Sequence, residues 1–91
     1  MTASIEVEKS KSGEFRVRVI EGRSETSHVV TLEPDEHQRL AGGKAGPEEL
    51  IRRSFEFLLE REPKESILPR FELPVIARYF PEYEREIKRR L

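Results

Sequence analysis

The pattern of apolar residues changes near residue 33, and no other feature constrains the fold as strongly. Before that point, apolar and charged residues alternate in residues 5–8 and 15–20, and residues 28–32 are rich in β-branched side chains. A period of two is typical of strands that bury one face, and β-branched residues favour strands. We therefore predict two or three antiparallel strands in the first third of the chain.

From residue 34 onward the sequence is divided by prolines. Five of the six prolines stand where a helix could begin, and acidic residues soon follow four of these five. Proline suits the first helical position because the N–H that it lacks would have no intrahelical partner there. Negative charge is favoured near a helix N-terminus. The pattern predicts about five helices, beginning near Pro34, Pro47, Pro63, Pro74 and Pro81.

The strongest helical pattern covers residues 47–61, and we expect it to form the central helix. Its apolar residues fall on one broad face, which we expect to pack on the sheet face that carries Phe15, Val17 and Val19. The predicted fold class is α+β, with one domain spanning residues 1–91. In it, a small antiparallel sheet of two or three N-terminal strands precedes about five helices.

The sequence offers little for catalysis or for metal binding. It has no cysteine, and its two histidines, His28 and His37, belong to no recognised set of catalytic residues or metal ligands. The glycine-rich residues 42–46 lack the Gly-Lys-Ser/Thr of a phosphate-binding loop. We therefore predict a non-enzymatic protein with no catalytic residue, cofactor or metal. His28 is expected to be a strand residue that borders the core.

Charge and hydropathy narrow the possible partners. The 17 basic and 18 acidic residues give a net charge of −1, so no basic excess points to nucleic acid. No apolar run approaches the ~20 residues of a membrane span, and residues 1–6 lack the basic and apolar regions of a signal peptide. We expect a cytoplasmic protein that does not bind membranes.

Residues 28–61 are arranged as a strand, a short helix, a glycine turn and a longer helix. In this order, and through Leu40-Ala41, Gly46 and residues 49–53, the segment resembles the ribbon-helix-helix DNA-binding domain. The resemblance implies a dimer whose paired strands enter the DNA major groove. Arg52 and Arg53 are the candidate nucleic-acid contacts under this interpretation.

The segment also departs from that family. Residues 28–32 contain no Arg or Lys. In DNA-binding proteins, contacts of such residues with the phosphates usually supply most of the affinity for DNA. Residues 15–20 also offer a strand partner within the chain. DNA binding is therefore the alternative function, and the sequence leaves open whether strand 28–32 pairs within one chain or across a homodimer.

The last 40 or so residues carry a second resemblance. Residues 56–63, 65–68 and 71–73, with 75–83 (Val-Ile-Ala-Arg-Tyr-Phe-Pro-Glu-Tyr), resemble a group of small uncharacterised bacterial proteins of similar length. This implies a bacterial source and a shared fold, but no activity.

Many of the chain's aromatic residues are concentrated in this C-terminal segment. They could complete the core or form a surface that docks another protein, because Tyr and Arg are frequent interface anchors. Of the two, we favour the core, because a small domain needs its aromatic residues for burial. For the chain as a whole we predict a protein-interaction module, and Phe71, Arg78, Tyr79 and Tyr83 are its candidate contacts.

Overall fold

The computed structural model describes residues 3–91 and has the α+β class expected from the sequence. Three long strands come first, two helices follow, and a C-terminal segment returns to the sheet. The elements are β1 (Ser4–Lys11), β2 (Glu14–Glu21), β3 (Ser24–Thr31), α1 (Pro34–Ala41), α2 (Pro47–Leu59), a 3-10 turn (Lys64–Ser66), β4 (Arg70–Glu72), a second 3-10 turn (Leu73–Val75), α3 (Ile76–Tyr79) and α4 (Tyr83–Arg90).

The sheet has the strand order β1-β2-β3-β4. Its first three strands form two antiparallel hairpins, in which Gly13 and Gly22 adopt φ values of 75° and 60° in the two tight turns. Glycine adopts positive φ without the penalty that a Cβ would bring. The fourth strand pairs in parallel with residues 29–31 of β3.

Alternation along the strands produces one buried face and one exposed face. Phe15, Val17 and Val19 are buried, whereas Arg16 and Arg18 between them are exposed. The buried side chains belong to the same core as the apolar face of α2, so the expected packing of the central helix on this face is confirmed. Within that core, the ring of Phe55 on α2 lies 5.3 Å from that of His28 and 6.0 Å from that of Phe71.

Several details differ from the sequence-based prediction. The predicted central helix 47–61 ends at Leu59, and the described residues form four α-helices and two 3-10 turns rather than five helices. Pro63 immediately precedes a 3-10 turn, Pro74 lies inside one, and Pro81 lies in the connection before α4. A proline can start either kind of helix: the residues after Pro63 make a single 3-10 turn, whereas the 3-10 turn that contains Pro74 continues directly into α3.

The fourth strand was not predicted. Its three residues are held by β3, and the Val29 N–H donates to the Pro69 carbonyl oxygen at 2.8 Å just before the parallel pairing begins. Strand β3 therefore has a neighbour on each side: β2 along its whole length and β4 along its last residues.

The C-terminal segment contributes much of the core. Leu73, Ile76, Tyr83 and Ile87 are each no more than 3% exposed. Ion pairs join the same segment to earlier elements, with Arg39 reaching Glu84 at 2.8 Å, Lys64 reaching Glu21 at 2.9 Å, and Arg90 reaching Glu60 at 2.7 Å. The Lys64 side chain is buried in this position, whereas the other two pairs are more exposed and contribute little to stability. The buried apolar side chains therefore do most to hold the segment in place.

Candidate functional site

The structure separates the four predicted contact residues into two groups. Phe71 and Tyr83 are buried, whereas Arg78 and Tyr79 are exposed at the end of α3. Tyr83 is fully buried and therefore has a structural role, whereas Phe71 packs in the core and leaves only 8% of its surface exposed. The hydroxyl end of Tyr83, which a contact with a partner would expose to water, is buried as well.

The Tyr83 hydroxyl is part of a buried hydrogen-bond chain. Ser54 Oγ donates to the Leu50 carbonyl oxygen at 2.8 Å and lies 2.7 Å from Tyr83 Oη. Since the Ser54 proton is used in the first bond, Tyr83 is the donor in the second. Burial raises the pKa of Tyr83 well above its ordinary value, so the phenol stays protonated and keeps this role.

An apolar groove of about 260 Å³ opens beside α3. It lies between the C-terminal end of α2, the loop at residues 66–68 and α3, and we call it the C-terminal groove. Tyr79 is 65% exposed and Leu68 is 41% exposed, and in residues 3–91 these are the large hydrophobic side chains that remain open to solvent. Both line this groove, whose other lining residues are Leu58, Glu62, Ser66, Ile67, Phe71, Val75, Ile76 and Phe80.

Glu62 is the charged residue of this lining. Its carboxylate has no hydrogen bond and no ion pair within the described part of the chain, although its neighbour Arg61 pairs with Glu82 at 2.9 Å. Partial burial against the apolar wall raises the pKa of Glu62 above the ordinary carboxyl value, because desolvation disfavours the charged form.

His28 is hydrogen-bonded to the backbone of Leu68, a residue that lines the C-terminal groove. Its Nδ1–H donates to the Leu68 carbonyl oxygen at 2.9 Å, and its Nε2 accepts from the Thr26 hydroxyl at 2.8 Å. Burial lowers the pKa of His28, and the bond to Leu68 partly opposes that shift. The strand position that borders the core is confirmed. The contact with Leu68, forty residues away, has no local signal in the sequence.

The residues assigned to DNA binding have partners within the chain. Arg53 on α2 pairs with Glu49 at 2.7 Å and with Glu56 at 3.3 Å, and Arg52 donates to the backbone carbonyl of Ile5 in β1. A ribbon-helix-helix dimer would need β3 to pair with its copy. Here both sides of β3 are already occupied.

Other polar clusters have structural roles. Lys64 is buried between Glu21 and Glu65 at 2.9 and 2.7 Å, and its hydrogen bond to Glu65 is the largest of the effects that raise its pKa. Across residues 3–91, no group of three or more His, Cys, Asp or Glu side chains is placed to hold a metal ion. None of the described helices combines the length and the apolar character needed to cross a membrane.

Comparisons with protein-family models, with curated proteins and with solved structures find no match for this chain. The C-terminal groove, its unpaired carboxylate and its two exposed hydrophobic side chains are therefore the observations from which a function is inferred.

Proposed function

We propose that this chain is a non-enzymatic protein-binding module and that the C-terminal groove is its docking surface. The observation that carries the proposal is that Leu68 and Tyr79 flank the same apolar groove. Hydrophobic side chains exposed singly are ordinary, whereas these two border one concave apolar surface, and such grooves are where proteins receive the apolar side chains of a bound peptide. The occupant that we propose is a short apolar segment of another protein.

The size of the groove favours a protein segment over a cofactor or metabolite. Its volume of about 260 Å³ lies below the ~300–1,000 Å³ typical of pockets for small molecules. A dry cavity of ~150 Å³ takes one benzene-sized group, so this groove has room for one or two apolar side chains. A peptide would place such side chains in the groove while its backbone stays in water.

The rest of the molecule supports a binding role over a catalytic one. His28 is held by Thr26 and Leu68, and His37 donates from Nε2 to the Ala45 carbonyl oxygen at 2.7 Å. Both imidazoles are therefore committed to internal hydrogen bonds. We also propose a cytoplasmic location, which the lack of cysteine supports, and a bacterial origin, on the C-terminal resemblance alone.

The DNA-binding alternative has less support from the geometry. To form a ribbon with a second copy, β3 would have to separate from the strands on either side of it. To contact DNA, Arg53 would have to break its ion pairs with Glu49 and Glu56. A protein partner on the C-terminal groove requires neither change.

A capture experiment with matched variants tests the proposal. The intact chain, Tyr79→Ser, and the control Arg16→Ser on the exposed sheet face are immobilised and exposed to extract from the native cells. We expect a partner that the intact chain and the control both retain and that Tyr79→Ser loses. This partner is then purified and its affinity for all three chains is measured by calorimetry. Partners that bind all three chains equally would overturn the assignment of the groove.

A further inference from the structure

The carboxylate in the C-terminal groove, that of Glu62, has no ion-pair partner within the described residues, whereas several glutamates near it do. Nearby glutamates have cationic partners: Glu56 has Arg53, Glu60 has Arg90, and Glu82 has Arg61. Glu62 has none in the described part of the chain, although it lines an apolar surface where a cation would have the most effect. Other acidic residues of the described chain, such as Glu8 and Glu72, also have no ion pair, but Glu62 is the residue that brings a charge into the lining of the C-terminal groove.

The cation nearest in sequence cannot supply the missing partner. The Arg61 guanidinium lies 3.6 Å from the centroid of the Phe57 ring and donates from Nε to Glu82 at 2.9 Å. To reach Glu62 it would lose both interactions. The structure therefore leaves Glu62 available to a group from outside the chain.

A purely apolar ligand would make the position of Glu62 worse. It would remove water from the carboxylate and return no hydrogen bond, and burying an unpaired charge is costly. A ligand with a Lys or Arg beside its apolar side chains would replace the lost water with a charge-assisted hydrogen bond. Charge complementarity thus selects among apolar segments.

We propose that the segment that docks in the C-terminal groove carries a lysine or arginine next to its apolar anchors, and that this cation pairs with Glu62. This proposal rests on the proposed function. The apolar anchors supply contact area and the cation supplies specificity. A segment with an acidic residue at the same position is rejected, because two carboxylates would then face each other.

The test begins with selection of random peptides, displayed on phage, against the immobilised intact chain. We expect the enriched peptides to combine apolar residues with Lys or Arg, and to lose binding to Tyr79→Ser. One enriched peptide and its Lys→Gln or Arg→Gln version are then measured by fluorescence anisotropy. We expect neutralisation of the peptide to weaken binding to the unmodified chain about tenfold, as for hydrogen bonds to charged groups.

The matched variants complete a thermodynamic cycle. Against Glu62→Gln, the charged and neutral peptides should bind within about twofold of each other, whereas the control Glu8→Gln should keep the full difference. Because neutralisation of the peptide leaves the protein unchanged, the test stands even where Glu62→Gln folds poorly.

The outcomes separate the two proposals. Tyr79-dependent peptides with no basic residue, or a peptide cation whose effect persists in Glu62→Gln, would overturn the pairing with Glu62 and leave the groove as a docking site. If no enriched peptide depends on Tyr79, the proposed function fails as well. Self-association of the intact chain that Tyr79→Ser abolishes, measured by sedimentation equilibrium, would make a second copy the occupant and overturn the proposal.

Discussion

Tyr83 illustrates how a single residue can define the place of the C-terminal segment. In the sequence Tyr83 shares a narrow apolar stripe with Ile87 and Leu91, but nothing local shows what its hydroxyl contacts. In the structure it reaches Ser54 in the middle of α2 and is fully buried, while Tyr79 remains 65% exposed. The hydrogen bond joins residues that are 29 positions apart, and the periodicity of apolar residues cannot predict a contact of that kind.

The Ser54–Tyr83 hydrogen bond gives an asymmetric prediction. Tyr83→Phe removes a donor and leaves Ser54 still bonded to Leu50, so we expect a loss of about 0.5–1.5 kcal/mol in the free energy of unfolding. Ser54→Ala leaves a buried phenol without an acceptor and should cost more, about 1–3 kcal/mol. Denaturant unfolding of both variants and of the double variant measures this. Equal losses of free energy in the two single variants would contradict the assignment of Tyr83 as the donor. Losses that add in the double variant would contradict the hydrogen bond itself.

His28 predicts a specific dependence of stability on pH. Its pKa is lowered in the folded chain, so the unfolded chain takes up the proton first as the pH falls below the ordinary value of about 6.5. The free energy of unfolding should therefore decrease as the pH falls from there towards the folded pKa, and it should be fully recovered above about pH 7.

Denaturant unfolding between about pH 7 and pH 5 tests this dependence. His28→Gln, which keeps an amide donor for Leu68, should show a shallower loss of stability. His37→Gln is the control, since it removes the other imidazole of the chain and leaves His28 in place. An undiminished slope in His28→Gln would show that other groups cause the acid sensitivity.

At the scale of elements, the sequence predicted those whose signals are local. The first two strands follow from alternation and the third from its β-branched residues, and α1 and α2 begin at the predicted prolines, Pro34 and Pro47. Strand β4 could not be predicted in this way, because its three residues are extended by pairing with β3. The C-terminal groove depends on β4 and on the loop that is bonded to His28. The sequence therefore placed its candidate contacts in the segment that lines the groove, but it could not separate exposed Tyr79 from buried Tyr83.

The buried face of α4 provides the test of the C-terminal segment as core. Ile87 is fully buried and follows Tyr83 by one helical turn, while the adjacent Lys88 is exposed. Ile→Ala in a core costs about 2–5 kcal/mol, and in a domain of this size each kcal/mol lowers the melting temperature by about 4–8 °C. We therefore expect Ile87→Ala to lower it by about 10 °C or more, and Lys88→Ala to change it little. Thermal unfolding followed by circular dichroism measures both, and equal melting temperatures would show that α4 is not part of the core.

At the scale of the whole molecule, positive and negative charges nearly balance, with 17 basic and 18 acidic residues. On the exposed face of the sheet, for example, Arg18 lies between Glu6 and Glu25 and pairs with both. With a net charge of −1, the molecule has no broad positive field to attract a polyanion.

We therefore expect no sub-micromolar complex with mixed-sequence duplex DNA at about 0.15 M salt. Fluorescence anisotropy with a labelled duplex provides the measurement. A tight complex that weakens steeply with added salt, and that is lost in Arg52→Ala combined with Arg53→Ala, would instead favour the ribbon-helix-helix alternative.

The most direct test of the central claim is to locate a bound ligand on the molecule. Amide and side-chain NMR spectra of the isotope-labelled intact chain are recorded during titration with the selected basic peptide. We predict that the largest shift changes occur at Leu58, Glu62, Leu68 and Tyr79, with Arg16 and the rest of the exposed sheet face unchanged. Changes centred on the exposed sheet face, with the C-terminal groove unaffected, would contradict the account.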